Sequence, residues 1–252
     1  MRIDQLLVER GLAASRSQAQ RLIAGGVKWQ QPDGAWRTVV KNRDEVPESA
    51  ALELLDDAES RYVSRGGLKL EGALKATGVK VSGLRCLDVG QSTGGFTDCL
   101  LQQGAAEVVG IDVGHGQVHP RVRDDERVIC IEGVNARELM PDDERIPDAE
   151  AGFDVLVGDV SFISLTMVLP GVVPFLKPGG KLLMLVKPQF ELQPENIGKN
   201  GLVKDPAMYP VIEKRIRTSL SELGLKVTGW YDSAIDGGDG NREFFVQATK
   251  PA

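Results

Sequence analysis

The chain has 252 residues, a mass of 27.2 kDa and a formal net charge of −6. This length suffices for an average domain plus a small module, and its ordinary share of apolar and charged residues predicts a folded protein. The acidic balance argues against a simple cationic nucleic-acid binder. No apolar run approaches the roughly 18 residues of a membrane helix, and the N-terminus lacks the apolar stretch of a secretory signal. We therefore expect a cytoplasmic protein with no membrane partner.

The first sixty residues predict a small α+β module, with two helices followed by three strands. Apolar residues recur at helical spacing in a first helix that ends at Gly11. Ser15 and Gln18 form a capping box that opens a second helix, which ends at the glycine pair 25–26. The predicted strands cover residues 27–29, 36–39 and 51–55.

Basic side chains accumulate on this module although the whole chain is acidic. Residues 1–30 carry five Lys or Arg against two Asp or Glu. Such a cluster can follow the phosphates of a structured RNA, although charge alone favours the plainer interpretation of a solvated helix face. The candidate RNA-binding residues of this module are Arg10, Arg16, Arg21 and Lys28.

The residue types in this stretch resemble those of the S-four RNA-binding domain. The resemblance extends over roughly residues 1–60 and rests on positions 1–11, 15–19, 22–23 and 26–27. It implies that the module binds RNA, without indicating the reaction. The charge then changes from acidic to basic, which predicts an interdomain linker at 61–65. Arg61 and Arg65 in this linker either contact RNA or pack at the junction.

From Cys86 onward, short apolar runs alternate with helical stretches, a pattern typical of an α/β sheet. Cys86, Cys99 and Cys130 form no CxxC or zinc spacing, so we expect three reduced thiols. His115 and His119 have no evident third ligand, so we expect no metal site. The predicted strands are 85–89, 107–112, 128–132, 153–159, 181–187, 225–231 and 243–248.

The segment that follows the first of these strands predicts a ligand site. Its glycines allow a close approach of the backbone to a ligand, but their spacing matches neither the GxGxxG of dinucleotide sites nor a phosphate loop. A methyl donor, S-adenosylmethionine, fits better. Asp112 ends the second strand and suits a ribose diol, whereas Asn135 suits either the adenine edge or a loop cap. The predicted cofactor-binding residues are Asp88, Gly90, Ser92, Thr93, Gly94, Gly95, Phe96, Asp112, Asn135 and Asp159.

Polar side chains at the ends of the later strands predict the chemistry. Asp159 and Lys187 each end a strand at the carboxyl edge of the sheet, where such folds bind ligands. Glu243 enters the last strand, and Lys69 lies upstream. By residue type alone, the four could form ordinary surface ion pairs. As a cluster, they suit methylation of a ribose 2′-hydroxyl, a poor acid whose proton must be removed or polarised.

We assign provisional roles within this cluster. A second ammonium nearby favours the neutral amine of a lysine, so Lys187 is the predicted base. Asp159 and Glu243 would orient the two lysines. Lys69 would perturb Lys187 or hold the ribose.

Five motifs together resemble the TlyA family, which combines an S-four domain with an RrmJ/FtsJ-type rRNA methyltransferase and is often labelled haemolysin. The resemblance runs in order over nearly the whole chain. The motifs occupy residues 63–70, 92–98, 112–117, 159–164 and 186–191.

This resemblance implies a Rossmann-like class I methyltransferase sheet over 66–252, mostly parallel with its last strand antiparallel. It also implies S-adenosylmethionine as donor, a cytidine 2′-hydroxyl of ribosomal RNA as acceptor, and a catalytic tetrad at Lys69, Asp159, Lys187 and Glu243. The chain begins directly at the first helix, as in members that modify only the large subunit, so we expect 23S rRNA as the substrate. A membrane-active haemolysin and an RNA-binding protein with an inactive methyltransferase fold are the alternatives.

Overall fold

The computed structural model describes residues 1–54 and 61–252. The predicted strand end at 55 and the predicted domain boundary at 60 lie outside the described residues. The chain divides into two compact units, Met1–Arg65 and Gly66–Ala252. Among the described residues, no helix is both long enough and apolar enough to cross a bilayer.

The first unit contains the predicted two helices and three strands. Ser15 caps the second helix, since its Oγ accepts a hydrogen bond from the Gln18 amide at 3.2 Å. The box is not reciprocal as predicted, because the Gln18 side chain accepts from the amide of Ala14 instead. The three strands form an antiparallel sheet in the order β2-β1-β3. The elements are α1 (Ile3–Glu9), α2 (Arg16–Gly26), β1 (Val27–Gln30), β2 (Trp36–Thr38) and β3 (Leu52–Leu54).

The second unit is built on a seven-stranded sheet in the order β6-β5-β4-β7-β8-β10-β9. Its strands are β4 (Arg85–Val89), β5 (Glu107–Ile111), β6 (Val128–Ile131), β7 (Phe153–Gly158), β8 (Leu176–Val186), β9 (Lys226–Asp232) and β10 (Phe244–Thr249). The pairs among β4 to β8 are parallel, whereas β10 runs antiparallel to both of its neighbours. This confirms the predicted mostly parallel sheet with a reversed last strand.

Helices accompany the strands of this sheet. The helices α6 and α7 contribute apolar side chains to the same core cluster as the central strands. That cluster supports the carboxyl edge, at which β4, β5, β7 and β8 end. The helices of the unit are α3 (Gly66–Thr77), α4 (Gly95–Gln102), α5 (Pro120–Arg123), α6 (Leu165–Val172) and α7 (Tyr209–Glu222).

Strand β8 begins five residues earlier than predicted. Its first half contains Pro178, Gly179 and Gly180, which are typical of turns. They are nevertheless part of the strand, because the Gly179 amide donates to the carbonyl of Lys250 and the Lys250 amide donates to the carbonyl of Gly180. Tertiary pairing therefore overrides the local turn preference.

Candidate active site

The topology of the sheet brings three of the four tetrad candidates to one edge. Asp159 directly follows β7, and Lys187 directly follows the neighbouring strand β8. Glu243 directly precedes β10. Because β10 is antiparallel to β8, with Phe244 paired to Val186, the start of β10 lies where β8 ends.

The four side chains form two ion pairs. Lys187 Nζ lies 2.5 Å from Asp159 Oδ1 and donates a hydrogen bond to Ser161 Oγ at 2.8 Å. Lys69, on α3, places its Nζ 2.5 Å from Glu243 Oε2. The second pair is the deeper one, with side chains only 8% and 2% exposed.

Burial dominates the electrostatics of Glu243. Desolvation raises the pKa of its carboxyl, although the charge and hydrogen bond of Lys69 and the charge of Lys187 lower it. The charge of Asp159 acts in the raising direction, so both ion pairs influence this one carboxyl. Gly237 permits its placement, because a Cβ there would lie 2.6 Å from Glu243 Oε1.

A cavity of about 500 Å³ opens beside the tetrad, at the carboxyl ends of β4, β5 and β7. The chain passes from β4 to β5 on one side and returns to β7 on the other, and ligands bind at such a switch point. The walls combine apolar and polar groups. Among the predicted cofactor-binding residues, Gly90, Ser92, Asp112, Asn135 and Asp159 line this cavity.

Asp112 presents an ordered carboxylate to the cavity. Its Oδ2 accepts a hydrogen bond from the Ser92 amide and its Oδ1 accepts one from the Gly114 amide, both at 2.7 Å. A carboxylate oxygen has more than one lone pair, so each oxygen retains capacity to accept from a ligand hydroxyl.

Gly90 makes the floor of the cavity narrow. Its φ of +79° suits glycine, and a Cβ there would lie 2.6 Å from the carbonyl oxygen of Asp159. A larger residue would push β4 and β7 apart at the point where they border the cavity.

The other predicted cofactor-binding residues do not line the cavity. Asp88 is fully buried and accepts a hydrogen bond from Thr97 Oγ1 at 2.7 Å. Burial raises the pKa of the Asp88 carboxyl to about 7, and its place is beneath the glycine loop. The remaining members of this set are Thr93, Gly94, Gly95 and Phe96, of which Phe96 stacks on Phe245 at 6.0 Å.

Asn135 performs the loop-capping task that the sequence left open. Its Oδ1 accepts a hydrogen bond from the Arg137 amide at 3.2 Å, and its Nδ2 donates to Glu138 Oε1 at 3.0 Å. The side chain lines the cavity as well, so the cap orients it there.

The RNA-binding candidates in the first unit have different surroundings. Arg10 donates to the carbonyls of Glu48 and Ala50 and thereby ties a loop to α1. Arg16 is exposed on α2, whereas Arg21 and Lys28 are half-buried. In the predicted linker, Arg61 is exposed, with its guanidinium 5.7 Å from the centre of the Tyr62 ring, and Arg65 is half-buried.

Sequence reasoning missed Phe162. Its side chain is 89% exposed at the rim of the cavity, its φ is +64°, and its ring centre lies 5.0 Å from that of Phe190. A large apolar residue in a polar motif after a strand was the available signal, because an exposed aromatic ring in a strained conformation points to a functional constraint.

The cysteines and histidines form no second candidate site among the described residues. Cys86 and Cys130 are free thiols, and burial raises the pKa of Cys86 to about 12. Within residues 1–54 and 61–252, no three His, Cys, Asp or Glu side chains are grouped so that they could hold a metal ion.

Comparison with known proteins places this site in a family. The model of the FtsJ-like methyltransferase family matches residues 62–250, and that of the S4 domain matches residues 1–26. The 16S/23S rRNA (cytidine-2′-O)-methyltransferase TlyA of Mycobacterium tuberculosis is 43% identical, covering 97% of this chain and 88% of the relative. The chain belongs to the TlyA family of FtsJ-like methyltransferases.

Two further relatives agree with this membership. The 23S rRNA (cytidine-2′-O)-methyltransferase TlyA of Campylobacter jejuni is 33% identical, covering 83% of this chain and 81% of the relative. A solved structure of a candidate hemolysin from Streptococcus thermophilus is 38% identical with a TM-score of 0.74, covering 100% of this chain and 88% of the other.

The two family models divide the TlyA-type site residues between them. The methyltransferase match contains the cavity and all four tetrad candidates. The S4 match contains Arg10, Arg16 and Arg21 and ends before Lys28. The chain is thus a methyltransferase whose N-terminus carries an S4 domain.

The buried pair predicts a pH-dependent loss of stability. We expect Lys69→Met to lower the free energy of unfolding by about 3–5 kcal/mol at pH 8, because it leaves Glu243 as an unpaired buried charge. Burial raises the pKa of Glu243, and loss of Lys69 raises it further. The carboxyl is therefore neutral in the folded variant at lower pH, and the loss relative to wild type should shrink at pH 5. Urea unfolding at both pH values measures the difference.

The matched control is Lys75→Met on the same helix. Lys75 pairs with Glu71 four residues away, but its side chain is 75% exposed. Such a pair contributes only about 0.2–0.5 kcal/mol, so we expect little change at either pH. Equal losses at pH 5 and pH 8 for Lys69→Met would contradict the assigned electrostatics.

Proposed function

We propose that the chain transfers the methyl group of S-adenosylmethionine to the ribose 2′-hydroxyl of a cytidine in 23S ribosomal RNA, with the large ribosomal subunit as its substrate. The observation that carries the proposal is the contact between the cavity and the tetrad. Asp159 lines the cavity and also pairs with Lys187. A bound donor and the general-base candidate are thereby adjacent.

The cavity suits the proposed donor in shape and polarity. S-adenosylmethionine supplies an electrophilic methyl group on a sulfonium when it is bound. Val134 and Ile163 provide apolar walls for a flat base. Asp112 retains acceptor capacity for a ribose diol, and the absence of a side chain at Gly90 lets the backbone approach the ligand.

The tetrad suits removal of a hydroxyl proton. In the proposed step, Lys187 would first release its ammonium proton to solvent and would then accept the proton of the 2′-hydroxyl as that oxygen takes the methyl group that S-adenosylmethionine supplies. Asp159 and Ser161 hold Lys187 Nζ in place. The buried pair of Lys69 and Glu243 lies beside them, and the charges of Lys187 and Asp159 both act on the Glu243 carboxyl.

The choice of RNA rests on the relatives' names and the S4 domain. Both curated relatives are named for cytidine-2′-O methylation, and 23S rRNA is common to their names. The S4 match coincides with the basic stretch of the first unit. Neither a haemolysin nor an inactive fold requires four convergent polar side chains beside a cavity, so we propose neither.

Mapping of the modified nucleotide tests the function. Purified protein is incubated with labelled S-adenosylmethionine and separated ribosomal subunits from a strain that lacks the gene. We expect a ribose-methylated cytidine on the large subunit. Label on a base, on another nucleotide or on neither subunit would reject the proposal, and donor binding measured in parallel would show whether the cofactor assignment survives.

Substitution of Lys187 tests the mechanism. We expect Lys187→Ala to lower the rate of methyl transfer by about 10²- to 10⁴-fold, the range of a general base. Donor affinity, measured by calorimetry, should change little because Lys187 does not line the cavity. Lys80→Ala, at an exposed position outside the cavity, is the control and should retain the wild-type rate. A parallel loss of donor affinity would place Lys187 in the donor site instead.

Charge reversal on α2 tests the RNA surface. We expect Arg16→Glu to weaken rRNA binding and to reduce the slope of binding against salt by about one, because one phosphate contact is lost. Filter binding over a salt series measures both. Arg43→Glu reverses an exposed charge outside the candidate set and should leave the slope unchanged. Equal effects of both variants would indicate general repulsion.

A further inference from the structure

Outside the tetrad, Glu191 has a buried carboxylate that accepts three hydrogen bonds. Its side chain is 2% exposed. Oε2 accepts from Ser164 Oγ at 2.7 Å and from the Arg215 guanidinium at 3.0 Å, and Oε1 accepts from the Leu165 amide at 2.6 Å. Arg215 also donates to the backbone carbonyl of Glu191. A buried charge that is fully partnered in this way fixes the segments it joins.

The Glu191 carboxylate links the two loops that carry the ion pair of Asp159 with Lys187, because Glu191 ends one loop and its partner Ser164 ends the other. Its other partners lie on helices, Leu165 at the start of α6 and Arg215 on α7. The first loop, residues 159–164, begins with Asp159 and ends at the start of α6. The second loop, residues 187–191, begins with Lys187 and ends at Glu191. At the cavity side the loops meet through the ion pair and the contact of Phe162 with Phe190. At their far ends they are joined by the hydrogen bond that Ser164 Oγ donates to the Glu191 carboxylate.

We infer that Glu191 is a positioning residue, which braces the two loops so that Lys187 Nζ is held against Asp159 and toward the acceptor hydroxyl. The inference rests on the proposed function. Near the cavity, the loops are joined by side chains for which a bound substrate can compete. The hydrogen bonds of the Glu191 carboxylate, which we call the brace, are buried where no substrate can reach them. They therefore hold the two loop backbones in place while Lys187 exchanges partners.

A purely structural role for Glu191 predicts a different result. If the carboxylate served only to cap α6, its loss would disturb Leu165 and the neighbouring cavity wall, which includes Ile163 and Val168. Donor affinity would then fall with the rate. If it positions Lys187, the rate constant falls by a much larger factor than donor affinity, because Lys187 lies on the loop that does not line the cavity.

Glu191→Gln is the sharpest test. The amide keeps the shape, but its NH₂ group faces donors from Ser164, Leu165 and Arg215, so one contact of the brace must break. We expect kcat to fall about 10- to 100-fold, the cost of misplacing a reacting group by about 1 Å. Donor affinity and KM for the RNA should stay within about threefold. Single-turnover methylation, donor calorimetry and circular dichroism supply the readouts.

Two other variants complete the test. Glu195→Gln alters an exposed carboxyl in the same segment and should match wild type. Ser164→Ala removes one donor to the brace and should show a smaller fall in kcat with the same unchanged donor affinity, which keeps the inference testable if Glu191→Gln misfolds.

The possible failures are distinguishable. A wild-type protein that methylates no ribose would overturn the proposed function. An active wild type with unchanged kcat in folded Glu191→Gln or, if that variant misfolds, in Ser164→Ala would overturn the brace. A fall in kcat matched by an equal fall in donor affinity would also overturn it, because Glu191 would then serve the cavity.

Discussion

The reversed direction of β10 is the constraint on which the site depends. A parallel last strand would place Glu243 at the opposite edge of the sheet, away from the residues that follow β7 and β8. Because β10 is antiparallel, Glu243 enters the strand beside Lys187 and meets Lys69 at 2.5 Å. One topological choice thus determines where a buried carboxylate can be compensated, and an uncompensated one would cost several kcal/mol.

The two ion pairs differ in what they can do. A buried pair contributes little net stability compared with well-packed apolar residues, so its presence calls for another explanation. Lys69 and Glu243 lie in the interior, where their exchange with solvent is restricted. Asp159 lines the cavity and is paired with Lys187, and their side chains are 23% and 12% exposed. The pair of Lys69 and Glu243 therefore keeps its two charges in place, whereas Lys187 and Asp159 are accessible enough to change partners.

Residue patterns predict most of the fold, because apolar periodicity and turn residues act locally. The main strand error was the early start of β8, where pairing with Lys250 overrode Pro178 and the two glycines. Patterns also predicted which polar groups end strands, and hence which converge. They could not separate residues that line the cavity from those beneath it, such as Asp88, because burial depth depends on tertiary packing. The role of Glu191 could not be predicted from the sequence either, since its hydrogen-bond partners lie far away in sequence.

The same geometry favours Lys187 over Lys69 as the proton acceptor, a choice that residue types alone could not make. A base must reach the substrate. The partners of Lys187 are Asp159 and Ser161, both of which line the cavity, whereas Lys69 is paired with Glu243, which does not. For Lys69 to reach an acceptor beside the cavity, it would have to leave Glu243 as an isolated charge in the interior. Lys187 needs only to release one partner at the rim, and this lower energetic cost supports the proposal that Lys187 is the base.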